Sequence, residues 1–361
     1  MAENFTPQFK PAAKAVAPFA MLGEDGQLKR GARPGLSDEE TLEALRLMLL
    51  GRLFDQKCLS LQRQGRLSTF APIFGQEATL VGTAMAMDPK RDWAVPQYRE
   101  APVQIRQGLP LETLALFRRG HPDGGIIPEG VNLLSTQVSL AAQLPHAVGL
   151  AWGIRMKDGD GVVVAFFGDG ASSEGDFHES CNLAGLVEAP VIFLLQNNQW
   201  AISTPRAIQS ATRDLAARAP GYGFPGVSVD GNDLFAMHKV VADAIARARA
   251  GGGPTLIEAH TYRMGMHTTA DDPSRYVDPE ELERWQKRDP IERVQRHLAA
   301  KGKWSDALAA AWEDEIRAEI QAAFDYADGY PPPRPEQIYE HLYAEPTQTL
   351  IRQRHANLGQ A

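Results

Sequence analysis

The segment Val162-Val163-Val164-Ala165-Phe166-Phe167, followed at once by Gly168-Asp169-Gly170, decides how this chain folds. The apolar run has no polar alternation, so it reads as a strand buried on both faces of a parallel sheet. A helical stretch, Glu174 to Val187, comes next. A second apolar run, Val191–Leu195, then leads into Asn197-Asn198. Strand, helix and strand in that order form a βαβ unit, whose strands end on the same edge of one sheet. Ligands of open α/β sheets bind outside that carboxyl edge, so Asp169 and Asn198 are expected to converge there. One carboxylate and one amide oxygen make a partial cage for Mg²⁺, which keeps water or phosphate oxygens in its other positions. Gly168 and Gly170 let the backbone approach an anion closely. The N-terminus of the following helix offers free N–H groups to the same anion. Gly-Asp-Gly and Asn-Asn are each common turns; their placement at the ends of adjacent strands is what marks a site.

The same grammar extends outward. Gln143 to Met156 reads as a helix, and Gly226–Val229 and Thr255–Tyr262 read as strands. Leu234–Ala250 reads as a helix with Leu234, Met237, Val241 and Ile245 along one stripe. Towards the N-terminus, Ser37-Asp38-Glu39-Glu40 is a capping box. Leu42, Leu45, Leu49 and Leu53 carry a helix from it to about Gly65, and Gln76 to Met87 is a second helical run. Strands alternating with helices predict an α/β fold, an open parallel sheet with helices on both faces and helical N- and C-terminal extensions. The expected parts are a flexible arm or strap over a neighbour at 1–36, an α/β domain at 37–329, and a Pro-rich connector with a C-terminal tail at 330–361.

The chain has 361 residues, 43% hydrophobic and 23% charged, enough for a sizeable core and against wholesale disorder. Lys and Arg number 37 against 45 Asp and Glu, a net charge of -8. That balance argues against a nucleic-acid partner, since phosphate neutralisation needs clustered cations. Cys58 and Cys181 alone make neither a disulfide framework nor a four-thiolate zinc site. No apolar run approaches the ~18 residues of a membrane span, and the N-terminal residues lack the apolar stretch of a secretory signal. A cytoplasmic metabolic enzyme without a membrane partner is expected.

Two further clusters bear on chemistry. In Gln97-Tyr98-Arg99-Glu100, Arg99 is able to fork a phosphate and Tyr98 to donate its hydroxyl, with a surface salt bridge as the competing reading. In Tyr262-Arg263-Met264-Gly265-Met266-His267-Thr268-Thr269, His267 follows the last strand at the same sheet edge. A histidine there serves as acid, base or hydrogen-bond donor. Its position sets it above His121, His178, His238 and His260. Little apolar burial is expected to pin its loop, so mobility without a ligand is expected, and Asp271 and Asp272 read more easily as a turn before Pro273 than as metal ligands.

With the strings FFGDGASSEGDFHE, QNNQWAIST, VDGND and YRMGMHTTADDPSRY together, the sequence resembles the alpha subunits of the thiamine-diphosphate-dependent 2-oxo acid dehydrogenases, from about Leu45 to Trp304. The resemblance implies a thiamine diphosphate-binding fold. It implies Mg²⁺ on Asp169, Asn198 and the Trp200 carbonyl, and diphosphate on Tyr98, Arg99 and the backbone at Gly168, Gly170 and Ala171. It also implies aminopyrimidine contacts from main chain around Val138 to Leu140, and a catalytic His267 beside the diphosphate. The implied reaction is oxidative decarboxylation of a 2-oxo acid with reductive acylation of a lipoyl domain. The implied partners are a beta subunit, in a heterotetramer of two alpha and two beta chains, and a lipoyl-bearing acyltransferase. The loop RGHPDGGIIPEGVN carries Asp123 where close relatives have a histidine, and its Ile-Pro-Glu-Gly-Val-Asn form tilts the substrate towards pyruvate. Ala142 stands where some relatives have a potassium-binding threonine, so no potassium is expected. A branched-chain 2-oxo acid or acetoin dehydrogenase alpha subunit is the alternative within the family, and a non-catalytic α/β scaffold the alternative outside it.

Overall fold

The computed structural model describes residues 17–340 and 342–359. Helix α1 (Asp38–Arg63) starts at the capping box. The Ser37 hydroxyl accepts the Glu40 N–H at 3.1 Å, and the Glu40 carboxylate accepts the Ser37 N–H at 2.8 Å. Then follow α2 (Glu77–Ala86), β1 (Trp93–Val95), α3 (Ala101–Arg106), α4 (Leu111–Arg118), α5 (Gln143–Met156), β2 (Val163–Gly168), α6 (Gly175–Leu186) and β3 (Val191–Asn197). A small ribbon, β4 (Trp200–Ala201) and β5 (Thr204–Pro205), leads into α7 (Arg206–Gln209). The chain closes its sheet with β6 (Gly226–Asp230), α8 (Leu234–Arg247) and β7 (Thr255–His260). Helices α9 (Pro279–Gln286), α10 (Pro290–Ala300), α11 (Asp306–Gly329), α12 (Gln337–Glu340) and α13 (Gln348–Leu358) complete it.

The main sheet has five parallel strands in the order β1-β2-β3-β7-β6. The apolar run at its centre is divided by the two-residue period of a strand. Val162, Val164 and Phe166 join one core with α1, α2, α8, α10 and α11, whereas Val163, Ala165 and Phe167 join the other with α5 and α6. Helices therefore cover both faces, as the fold class required. Strand β1 is only three residues long, too short to carry a periodicity in the sequence.

The arm expected over 1–36 differs from that reading wherever the structure describes it; residues 1–16 lie outside the described residues. Phe19 pairs with the edge strand β6, donating its N–H to the Ser228 carbonyl and accepting from Asp230 N–H, both at 2.9 Å. Met21 and Leu22 are buried, and both their N–H groups reach Asp233 Oδ2 at 2.6 Å. The segment is a strap over its own sheet edge, which would otherwise present unpaired backbone groups. The connector is likewise anchored to this chain. Asp123 accepts from the Tyr330 hydroxyl at 3.1 Å and from Gln337 Nε2 at 2.8 Å, so the aspartate that departs from the family pattern ties down residues 330–337. Among the described residues, no helix is long and apolar enough to cross a membrane.

Candidate active site

The register of β2 on β3 sets Gly168 opposite Gln196, so Asp169 and Asn198 follow one hydrogen-bonded pair by one and two residues. Asp169 is buried. Its Oδ2 accepts from Gln209 Nε2 at 2.9 Å, while its Oδ1 has no partner among the described residues. Burial raises its pKa, the Gln209 hydrogen bond opposing. A buried carboxylate oxygen without a donor is costly unless a cation sits against it. Asn198 Oδ1 accepts the Trp200 N–H at 3.2 Å, and Asn198 Nδ2 donates to Gln76 Oε1 at 3.0 Å. The β4–β5 ribbon lies over Gly170, where a Cβ would come within 2.8 Å of Ala201 Cβ; only glycine allows that approach. Asp169, Asn198 and Trp200 are thus gathered at one end of the sheet, with Ala171 buried in the turn beyond Gly170.

The second half of the site is cationic. Arg99 is buried, and its guanidinium donates to the Pro72 carbonyl, to the His267 carbonyl at 2.9 Å and to His267 Nδ1 at 3.0 Å. Arg263 approaches the same Nδ1 at 3.4 Å and donates to Ile202 O at 2.8 Å, just past the ribbon strand that holds Trp200. Arg99 is buried and spends its donors on the Pro72 and His267 carbonyls, which decides against the surface salt bridge. Tyr98 lies edge-on to His267, with ring centroids 6.4 Å apart, and its own ring lies beneath Arg99. Burial first, then the charges of Arg99 and Arg263, lower the His267 pKa to about 4. The imidazole is neutral, and since Nδ1 faces guanidinium donors, its proton is on Nε2.

The His267 loop is more firmly held than its composition predicts. Its N–H donates to Asp271 Oδ2 at 2.6 Å, Thr269 pairs through its backbone with Phe70, and Met264 N–H donates to Phe74 O at 3.1 Å. Asp271 is therefore a brace, while Asp272 caps the short turn at Pro273–Arg275. Val138 and Leu140 stand 69% and 41% exposed, in a segment that Gln137 N–H ties to Gln97 O at 2.9 Å.

Sequence reasoning missed Arg263, Glu100 and Gln76. Arg263 had a signal: a cation directly after a strand at the ligand-binding edge. Glu100 accepts the N–H groups of Gln97 and Arg99 and, at 2.7 Å, Gln196 Nε2, tying the Tyr98–Arg99 turn to β3. That contact spans 96 residues and has no local signature.

Residues 45–336 match a family described as dehydrogenase E1 component. The chain is 41% identical over 335 residues to the pyruvate dehydrogenase E1 component subunit alpha of Staphylococcus epidermidis (strain ATCC 12228 / FDA PCI 1200), covering 92% of this chain and 90% of the relative. It is 42% identical, with the same coverage, to the protein of that name from Staphylococcus aureus (strain Mu50 / ATCC 700699).

Proposed function

The chain belongs to the dehydrogenase E1 component family, and we propose that it is the alpha subunit of a thiamine-diphosphate-dependent 2-oxo acid dehydrogenase with pyruvate as favoured substrate. It works in a complex with a beta subunit and a lipoyl-bearing acyltransferase, which we assign as a heterotetramer of two alpha and two beta chains feeding the acyltransferase. The relatives named pyruvate dehydrogenase support the substrate, since the likeness runs through nine-tenths of both chains. When bound, thiamine diphosphate supplies the electron sink for decarboxylation. The observation that carries its site is the buried Asp169 Oδ1, without a partner among the described residues, at the sheet edge that also holds Asn198, Arg99 and Arg263.

Each residue then has a role. Asp169, Asn198 Oδ1 and the Trp200 carbonyl would hold Mg²⁺, a hard cation suited to oxygen donors. Arg99 and Arg263, with Tyr98 and the backbone at Gly168, Gly170 and Ala171, would hold the diphosphate. Main chain at Val138 to Leu140 would meet the aminopyrimidine. His267 is the catalytic residue of this chain. Kept neutral by burial and by its guanidinium neighbours, it offers an Nε2–H donor to a developing oxyanion without adding a third cation. Asp169→Ala in the assembled enzyme tests the reading. Calorimetry is expected to show Mg²⁺-dependent cofactor binding lost in a folded protein, and initial rates of the parent enzyme should favour pyruvate over 3-methyl-2-oxobutanoate. Unchanged cofactor affinity would overturn the site; a preference for the branched substrate would overturn pyruvate.

A further inference from the structure

An asparagine ligates a cation through Oδ1 alone, because its NH₂ group is only a donor. The two ends of the amide have nearly the same shape, so something must decide which end faces the metal. We propose that Gln76 is the positioning residue that makes this choice, fixing Asn198 with Oδ1 toward the cation. The inference rests on the Mg²⁺ reading above.

Gln76 is fully buried immediately before α2. Residues at that position commonly cap the helix with a short polar side chain, yet the Gln76 side chain makes no capping bond. It turns away instead. Its Nε2 donates to the Ile73 carbonyl at 3.4 Å, which leaves Oε1 facing Asn198. Asn198 Nδ2 donates to that oxygen at 3.0 Å. On the other side, the Trp200 N–H donates to Asn198 Oδ1 at 3.2 Å. A flipped Asn198 would set oxygen against the Gln76 oxygen and NH₂ against the Trp200 N–H, losing both bonds at once in a buried place. Gln76 is itself kept from flipping by Ile73, whose N–H is held by Asp55 Oδ2 of α1 at 2.6 Å. A relay of fixed donors and acceptors thus runs from α1 to the metal loop, comparable to the outer hydrogen bonds that orient metal ligands elsewhere.

The test uses the assembled enzyme with Mn²⁺ and thiamine diphosphate as probes, and reads Mn²⁺ affinity by electron paramagnetic resonance. Gln76→Leu removes the acceptor and is expected to weaken Mn²⁺ binding on the order of tenfold or more. Gln76→Glu, whose protonated carboxyl reproduces both hydrogen bonds, is expected to stay close to the parent. In an Asn198→Ala background, Gln76→Leu should add little, because the amide it orients is gone. Should Gln76→Leu fail to assemble, Gln76→Met, closer in length and flexibility, carries the same comparison. Equal affinity in the parent and Gln76→Leu overturns the proposal and leaves the metal reading standing. An equal loss with and without Asn198 overturns it too, since Gln76 would then act on the fold at large. A parent enzyme whose cofactor binding needs no divalent ion overturns the metal reading and this inference together.

Discussion

His267 stands 168 residues from Arg99 in the chain and 3.0 Å from it in space. Burial first, then that proximity and Arg263 on the same nitrogen, make it a neutral donor where an ordinary histidine would be half charged near pH 6.5. The sign of the pH effect follows. The unfolded chain takes up this proton as pH falls through about 6.5, whereas the folded chain refuses it down to about 4. His267 therefore subtracts stability progressively as pH falls across that window and leaves it untouched above. Imidazole nitrogen NMR of the cofactor-free chain should show the Nε2–H tautomer at pH 6, and His267→Ala should flatten stability between pH about 6.5 and about 4. Adding the cofactor's negative diphosphate should raise the pKa. An apparent pKa near 6.5 in the free chain would refute this account of burial and two guanidinium neighbours.

Glu77 shows how an element can absorb a residue that looks functional. In the sequence it is an acidic side chain opening a helix, favoured there by the dipole, and a carboxylate of the kind that moves protons in active sites. In the structure it is fully buried, accepting from Arg52 Nε at 2.8 Å and from Gly75 N–H at 3.0 Å. Arg52 also pairs with Asp289 at 2.7 Å, so a single guanidinium joins α1 to α2 and to the start of α10. Its role is to lock helices together. Glu77→Gln should cost about 3 kcal/mol of stability, because Arg52 loses half of its charge compensation in a buried setting. Urea unfolding measures that loss. Cofactor affinity of the assembled variant should remain within about twofold of the parent, a difference under about 0.5 kcal/mol; a collapse in turnover at unchanged stability would return Glu77 to the chemistry.

The whole molecule presents a site with one wall. The residues we propose as metal and phosphate ligands lie along the sheet edge, while Val138, Leu140 and Ile202 are left exposed. A site that strengthens electrostatic contacts must exclude water, and one sheet edge cannot do so. Glu77 is engaged by Arg52 at 2.8 Å and is not available to the aminopyrimidine. The purified alpha chain alone should therefore release essentially no CO₂ from pyruvate, and mixing with the beta subunit should restore the reaction. Equal rates for the lone chain and the mixture would mean that the site is complete in one subunit.

The parallel sheet is legible from local patterning alone, because an unbroken apolar run such as Val162–Phe167 has only one economical burial, between two helical layers. The shared edge of Asp169 and Asn198 is equally legible there, since two strands joined by a crossover helix run parallel and end on the same side. Cap positions such as Ser37 were legible for the same reason: their causes lie within four residues. What only the tertiary structure decided involves partners far apart in the chain. The strap at Phe19–Leu22 depends on an edge strand over 200 residues away. The neutral state of His267, the burial of Glu77 and the hold of Gln76 on Asn198, 122 residues distant, depend on which charges and amides packing brings within 3–4 Å. Periodicity and turn chemistry act between neighbours and can be read in a line of residues. Desolvation and hydrogen-bond partnership act through space and exist only once the layers have closed.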